Sequence, residues 1–261
     1  MRVALGIAYR GDAYHGWQSQ PDGRSVQDAL EAALAAFVAA PVRTVCAGRT
    51  DTGVHALNQV LHLDTDTARE AFSWVRGTNR YLPGDIAVQW AQIVPDDFHA
   101  RNHARGRRYA YVLRESAMRP ALETGLVGWA FRALDGEAMR AATRHLIGTH
   151  DFSALRSSEC QAASPVKELR SVTVARHGAY WRFDFDGSAF LHHMIRNIMG
   201  CLLAIGQGRH SPDWMAEVIA SRSRDAAAPT FSPAGLYFLG PYYDASLDIP
   251  EHTPAFDWLP A

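Results

Sequence analysis

The stretch VRTVCAGRTDTGVHALNQVLHLD, residues 42–64, places a short polar turn between two segments with strand character. In the second segment apolar and polar side chains alternate, with three leucines on one side and Val60 on the other. A period of two indicates a β-strand. The sequence therefore predicts strands at 42–47 and 56–64, joined by a turn that holds Asp51 between two glycines.

The segments around this pair of strands alternate between strand and helix patterns. Strands are predicted at 2–9 and 86–94, and helices at 26–39 and 68–81. Ser25 is predicted to cap the first helix, with Asp28 three residues further on. The resulting β-α-β-β-α-β order predicts an antiparallel sheet with two helices on one face, as in ferredoxin-like folds.

The second half of the chain repeats this pattern with insertions. The predicted elements are strands at 107–114, 170–176, 180–186 and 235–243, and helices at 135–146, 190–205 and 212–221. We therefore predict an α+β protein of two ferredoxin-like domains, 1–105 and 106–261, with an active-site cleft between them. Residues 149–165, long and polar, are predicted to form a functional loop.

The amino-acid composition is typical of a folded globular protein, such as an enzyme or a binding protein. The chain has 261 residues, 48% of them hydrophobic and 20% charged, so it can bury a core. It shows neither a signal-peptide pattern nor an apolar run of about 18 residues, which predicts a cytoplasmic protein with no membrane partner. Its three cysteines form no CxxC pair, which argues against a disulfide scaffold and against structural zinc.

The net charge of −1 does not indicate a nucleic-acid binder, but the charges are unevenly distributed. Basic residues crowd one short stretch: Arg101, Arg105, Arg107, Arg108 and Arg114, with His99 and His103. A local basic patch on a neutral protein and a solvated, arginine-rich surface strand account for this stretch equally well.

Three further segments can carry chemistry, and each also has an ordinary structural explanation. Arg49 and Asp51 in the turn can face a phosphate and a substrate, or Asp51 can cap the turn, which the residues alone favour. Tyr109 and Tyr111 share one face of a strand, where a tyrosine can stack on an unpaired base or cover core. The loop 14–20 can contact RNA or plug the fold.

The predicted helix 190–205 combines an apolar stripe with a single arginine. Leu191, Met194, Ile195 and Ile198 form the stripe. On a helix, His192 and Arg196 would share one face, and a buried Arg196 would need a carboxylate partner. His192 and His193, as adjacent helical residues, would point about 100° apart and make a poor metal chelate, so no metal site is predicted. No nucleotide-binding or other cofactor motif is present either.

Taken in order, these motifs resemble the tRNA pseudouridine synthase A family along almost the whole chain. The segments that carry the resemblance are 14–18, 25–27, 48–56, 82–86, 98–101, 108–111, 148–153, 160–161, 190–197 and 235–237. The chain departs from the family pattern at Ser19, at Asn102 and His103, and at 229–233. These departures concern RNA contacts or packing, and none falls on the predicted catalytic residues.

The resemblance implies an activity: isomerisation of uridine to pseudouridine in the anticodon arm of tRNA, at tRNA positions 38, 39 and 40, by a cytoplasmic homodimer without cofactor. It implies that Asp51 is the catalytic carboxylate, that Tyr109 stacks on the target base and that Arg196 pairs with Asp51. Further substrate-binding residues are expected at Arg49, His55, Arg101, Arg108, Leu191 and Met194. Two other classes stay open, a uridine-directed N-glycoside hydrolase and a non-catalytic RNA-binding module.

Overall fold

The computed structural model describes residues 1–251. The strands are β1 Arg2–Tyr9, β2 Val45–Cys46, β3 His55–Asp64, β4 Ile86–Val94, β5 Gly106–Glu115, β6 Gly128–Ala130, β7 Gly148–Asp151, β8 Val166–His177, β9 Tyr180–Gly187 and β10 Leu236–Tyr242. The α-helices are α1 Val26–Val38, α2 Ala71–Asn79, α3 Gly136–Thr143, α4 Met194–Gly206 and α5 Trp214–Ser221. The protein is thus of mixed α/β type, with extensive sheet and five helices among these residues.

The chain divides into two compact units. Among residues 1–251, the first comprises Met1–Arg107 and 237–251, and the second comprises Arg108–Leu236. The division falls inside β5, two residues after the boundary predicted from the sequence. Most of β10 belongs with the first unit, because it pairs with β3.

The strands of the first unit follow the order β4-β1-β3-β10, and β2 also pairs with β3. β1 is antiparallel to both β3 and β4. The β3–β10 pairing is instead parallel, joining Tyr237 to His55 and Phe238 to Ala56. The predicted purely antiparallel sheet is therefore wrong for this pair of strands. The whole second unit separates them in sequence, so no tight turn imposes an antiparallel direction.

Helix α1 shows how closely local sequence sets an element of the first unit. The Ser25 hydroxyl accepts the N–H of Asp28 at 3.1 Å, and the Asp28 carboxylate accepts the N–H of Ser25 at 3.3 Å. This reciprocal capping satisfies two helix N-terminal donors, as predicted. Phe37 of α1 meets Trp74 of α2 edge to face, with ring centroids 5.3 Å apart. The two helices therefore bury their apolar faces together.

In the second unit the strand order is β5-β9-β8-β7, and β6 pairs with β5 in parallel. β9 alternates as the sequence predicts, with Trp181, Phe183 and Phe185 buried. The short strands β6 and β7 were not predicted. β7 and a 3-10 turn at Ser153–Leu155 lie in the segment predicted to be a loop. The two ferredoxin-like domains are therefore not established by these elements.

The predicted helix 190–205 is wrong at its start, because α4 begins only at Met194. His193 has a left-handed backbone with φ of 61°, which no continuous helix accommodates. His192 therefore precedes the helix, and the expected shared helical face of His192 and Arg196 does not exist. The two adjacent histidines also do not diverge as helical neighbours would, since their ring centroids lie 4.0 Å apart.

Within residues 1–251, none of the helices combines the length and the apolar character that crossing a membrane requires.

Candidate active site

The turn at 48–53 is held in the first unit by bonds from three directions. The Val54 N–H donates to the backbone carbonyl of Asp51 at 3.1 Å, and Gly53 takes a φ of 79°. The Tyr9 and Thr50 hydroxyls are hydrogen-bonded at 2.8 Å. The Gln59 side chain bonds both the N–H and the carbonyl of Gly48. The backbone that carries Asp51 is therefore fixed by its neighbours.

The loop 14–20, for which two explanations stayed open, supports this turn. The Trp17 N–H donates to the Thr50 carbonyl at 3.0 Å, and the Trp17 side chain is 1% exposed. Gly16 has a φ of 83°, and a Cβ there would lie 2.7 Å from the Thr50 oxygen. Only glycine tolerates both the positive φ and this close approach. At Gly16 and Trp17 the loop therefore packs against the Asp51 turn.

His55, the first residue of β3, is buried, which leaves little surface for the substrate contact expected of it. Its Nδ1 accepts the N–H of Gly11 at 3.0 Å, and its ring stacks on Tyr237 with centroids 4.7 Å apart. The side chain is 1% exposed. Burial also raises the pKa of the Tyr237 hydroxyl, so the tyrosine in this stacked pair is uncharged. In this structure His55 therefore packs inside the first unit, where it contacts Gly11 and Tyr237.

Two arginines of the predicted basic stretch bond the strand that leads into the turn. Arg101 donates from Nε to the Cys46 carbonyl at 3.3 Å, and Arg107 donates from Nη2 to the Ala47 carbonyl at 3.0 Å. Arg49, in the turn itself, is exposed. A hydrogen bond to a neutral carbonyl does not cancel the charge of a guanidinium, so this side of the first unit carries several cationic groups.

The other arginines of the stretch include two with carboxylate partners. Arg105 lies 3.5 Å from the carboxylate of Asp244. Arg114 belongs to the second unit, where its guanidinium pairs with Glu123. Acidic side chains from outside the stretch therefore lie beside two of its five arginines, which reduces the positive charge that a local basic patch could have.

In the second unit, β5 presents Tyr109 at a largely covered position. The side chain is 8% exposed, and its ring meets Phe190 edge to face at 5.1 Å. Tyr111, two residues on, is fully buried, and its hydroxyl donates to the Ser232 carbonyl at 2.8 Å. The two tyrosines that share a strand face thus differ: Tyr111 is core, and Tyr109 keeps a small accessible edge.

Arg196 lies in the first turn of α4 and is half-buried. Its Nε donates to the Phe231 carbonyl at 2.9 Å, and the Phe231 N–H donates to the Arg196 carbonyl at 3.1 Å. This reciprocal pair fixes the arginine against the segment before β10. The residues predicted to form the apolar stripe are buried, with Leu191 at 5% and Met194 at 0% exposed. Leu191 lies before α4, however, and every residue of α4 except Arg196 is buried. Burial leaves little surface at Leu191, and none at Met194, for the substrate contacts expected of them.

Asn197 is a buried polar residue of α4 whose structural role was not predicted from the sequence. It is 0% exposed, and its Nδ2 donates to the Leu155 carbonyl at 2.9 Å. Its Oδ1 accepts from Thr230 Oγ1 at 2.7 Å and from Arg224 Nη2 at 3.2 Å. A buried amide must be hydrogen-bonded, so an asparagine inside an apolar helix is the signal that was available.

Comparison with known proteins shows the family. A family model described as tRNA pseudouridine synthase matches residues 6–102 and 142–244. The chain is 71% identical over 260 residues to the tRNA pseudouridine synthase A of Methylibium petroleiphilum, with 100% of both chains covered. It is 62% identical over 264 residues to that of Polaromonas naphthalenivorans and 60% identical over 278 residues to that of Paracidovorax citrulli, again with 100% of each chain covered. This chain belongs to the tRNA pseudouridine synthase family.

The family match covers the predicted residues unequally. Asp51 and Arg196 lie inside the matched segments, whereas Tyr109 lies in the interval between them. The full-length pseudouridine synthase relatives cover that interval as well. Asp51 belongs to the first unit, and Tyr109 and Arg196 to the second. The pairing of Asp51 with Arg196 stays a prediction.

Proposed function

We propose that this chain isomerises uridine to pseudouridine in tRNA, with Asp51 as the catalytic carboxylate. The observation that carries the proposal is the full-length identity of 60–71% to proteins named tRNA pseudouridine synthase A. The held turn around Asp51 supports it, since a catalytic carboxylate needs a backbone fixed by its surroundings. The anticodon arm as the target, at tRNA positions 38, 39 and 40, belongs to the proposal and rests on the resemblance.

The reaction needs neither an oxidant nor a reductant. The N1–C1′ bond of uridine breaks, and a C5–C1′ bond forms after the uracil turns over. The proton on C5 is lost to water and N1 gains one, so atoms and electrons balance. Asp51 has two possible roles, attack on C1′ or removal of a proton from C2′, and both require the ionised carboxylate.

The remaining predicted residues have distinct roles in this proposal. Tyr109 stacks on the target uracil with its ring and keeps the detached base in place. Arg196 pairs with Asp51 and orients the carboxylate. Arg49, Arg101 and Arg108 bind RNA phosphates, which offsets the cost of a few kcal/mol for taking the base out of its stack.

The deciding experiment uses unmodified tRNA that carries tritium at uracil C5. The wild-type protein is expected to release tritium to water and to leave the RNA chain and its bases in place. Asp51→Ala is expected to abolish release while retaining tRNA binding, because the turn is also held by the Tyr9, Thr50 and Gln59 side chains and by its own backbone bonds. Asp66→Ala is the matched control, since Asp66 is an exposed carboxylate in the same unit.

Three outcomes contradict the proposal. Release of free uracil indicates a hydrolase. Binding of tRNA by the wild type without tritium release indicates an RNA-binding module. Tritium release by Asp51→Ala at the wild-type rate excludes the catalytic carboxylate. A homodimer and a cytoplasmic location complete the proposal and rest on the family resemblance.

A further inference from the structure

The turn at 98–103, which follows β4, is held in an unusual way. Four consecutive backbone N–H groups donate to the Nδ1 atoms of three histidines. The His99 N–H donates to His103 at 3.3 Å and the Ala100 N–H to His62 at 3.2 Å, while the N–H groups of Arg101 and Asn102 both donate to His99 at 3.2 Å. Imidazole nitrogens thus take the place of carbonyl partners here.

The carbonyls of the same turn are bound by side chains from distant parts of the first unit. Arg2 Nη1 donates to the Phe98 carbonyl at 2.7 Å, and the Tyr243 hydroxyl donates to the Ala100 carbonyl at 2.7 Å. Phe98 and Ala100 are both fully buried. Both the N–H groups and the carbonyls of the turn are therefore hydrogen-bonded. The geometry of the turn depends on the histidine acceptors as well as on the buried Phe98 side chain.

Each of these rings must be neutral and carry its proton on Nε2, because an imidazolium has no acceptor nitrogen. The charged groups around His62 are Arg2 and Asp64, with His99 and His103 in the turn. Burial, with the nearby Arg2 guanidinium as the next cause, lowers the pKa of His62 to about 4. The environment thus favours the neutral acceptor form of His62 that the hydrogen bond requires.

Two guanidiniums bond the backbone just before the Asp51 turn. Arg101, one of the four residues whose N–H groups are bound by histidines, reaches the Cys46 carbonyl at 3.3 Å. Arg107 bonds the Arg101 carbonyl at 3.1 Å and the Ala47 carbonyl at 3.0 Å. Cys46 and Ala47 immediately precede Gly48, the first residue of the Asp51 turn.

We propose that His99, assisted by His62 and His103, is a positioning residue: by accepting backbone N–H groups it holds the 98–103 turn so that Arg101 binds an RNA phosphate beside the Asp51 turn. The inference rests on the proposed function, because it supplies the polyanion that Arg101 meets. Three of the four residues in the segment FHAR, residues 98–101, then have a physical role. The phenylalanine anchors the turn, the histidine accepts its N–H groups and the arginine binds the phosphate.

The test measures tRNA binding against salt for three single variants and one double variant. Arg101→Ala is expected to reduce the slope of log affinity against log salt by about 1, the loss of one phosphate contact. His99→Leu is expected to reproduce that change and to weaken the Kd roughly tenfold, the size of one lost charged contact. His99→Asn is expected to restore the wild-type slope, because its Oδ1 replaces Nδ1 as the acceptor. The double variant His99→Leu with Arg101→Ala is expected to bind no worse than Arg101→Ala.

Arg105→Ala is the matched control, since Arg105 lies in the same stretch but already faces the carboxylate of Asp244. It is expected to change the slope less than Arg101→Ala. If His99→Leu does not fold, His103→Leu serves instead, because it removes the acceptor of a single N–H group. An unchanged salt slope in His99→Leu, or additive losses of affinity in the double variant, overturns the inference. Tritium release by the wild type in that case leaves the proposed function standing. A wild type that releases no tritium overturns both.

Discussion

At the scale of single residues, the backbone around Asp51 depends on two kinds of constraint, a glycine with no alternative and a set of hydrogen bonds. Gly16 combines a φ of 83° with a Cβ position 2.7 Å from the Thr50 carbonyl. The residues around Asp51 therefore fix the position of its carboxylate. Substitutions of residues other than the proposed catalytic ones are for this reason expected to affect turnover.

Gly16→Ala is expected to destabilise the protein by roughly 1–3 kcal/mol, through left-handed strain and displacement of the turn. Urea unfolding measures the stability, and tritium release measures the turnover. Gly23→Ala is the matched control, since Gly23 has a φ of 64° but nothing within 4 Å of its Cβ position. Turnover is expected to fall only for Gly16→Ala, and equal turnover in the two variants would exclude a positioning role for Gly16.

Tyr109 permits a separate test of stacking. Tyr109→Phe keeps the ring and its edge-to-face contact with Phe190, so it is expected to keep tRNA binding and to lose only what the hydroxyl contributes. Tyr109→Ala removes the platform and is expected to lower turnover by an order of magnitude or more, with a circular dichroism spectrum recorded to confirm folding. Binding and turnover of Tyr109→Ala equal to the wild type would count against the stacking role.

At the scale of elements, the sequence predicted best where periodicity and capping act locally. The bounds of β1 and β4 are as predicted, and α1 begins after the predicted cap Ser25. The start of α4 was wrong because hydrophobic periodicity does not register the positive φ of His193. The parallel direction of β10 was missed because a pairing between distant segments leaves no local signal.

For the site residues as well, features that depend on local sequence were predicted and features that depend on distant contacts were not. The order of the motifs identified the turn with Asp51, and the spacing of the apolar residues in and just before α4 predicted that they are buried. The burial of His55 and the carboxylate partners of Arg105 and Arg114 could not be predicted, since each depends on contacts that only the folded chain creates.

The acceptor role of His62 in β3 predicts a pH dependence of stability. Its pKa in the folded protein is about 4, below the ordinary value of 6.5. Above pH 6.5 both states hold a neutral ring and the full stability is present, whereas from pH 6.5 down to 4 the unfolded chain binds the proton first. The free energy of unfolding is therefore expected to fall by on the order of 3 kcal/mol over this range because of His62.

Urea unfolding of the wild type and of His62→Asn at several pH values checks this dependence. Asn keeps an acceptor for the Ala100 N–H but does not titrate, so the variant is expected to lose less stability below pH 6.5. Parallel pH profiles for the two proteins would show that His62 does not cause the loss.

At the scale of the whole molecule, the net charge of −1 is compatible with RNA binding only if the cationic groups act locally. Arg49 is exposed in the Asp51 turn, and Arg101 bonds a neutral carbonyl close to it, so both charges can meet phosphate. Affinity for tRNA is therefore expected to fall steeply with salt in a filter-binding titration. A flat salt dependence would argue against docking led by phosphate contacts.

The proposed homodimer is tested by the mass in solution. Light scattering is expected to give about twice the chain mass of 28.8 kDa, at protein concentrations used for turnover. A mass of one chain at those concentrations would exclude the dimer as the working form.

The central claim is that one carboxylate in a held turn converts uridine to pseudouridine inside an intact tRNA. Its most direct test is nucleoside analysis of unmodified tRNA after incubation with the wild type and with Asp51→Asn, an isosteric variant without the charge. The wild type is expected to form pseudouridine at the expense of uridine, and Asp51→Asn to form none while still binding the tRNA. Pseudouridine formed by Asp51→Asn at the wild-type rate would contradict the account.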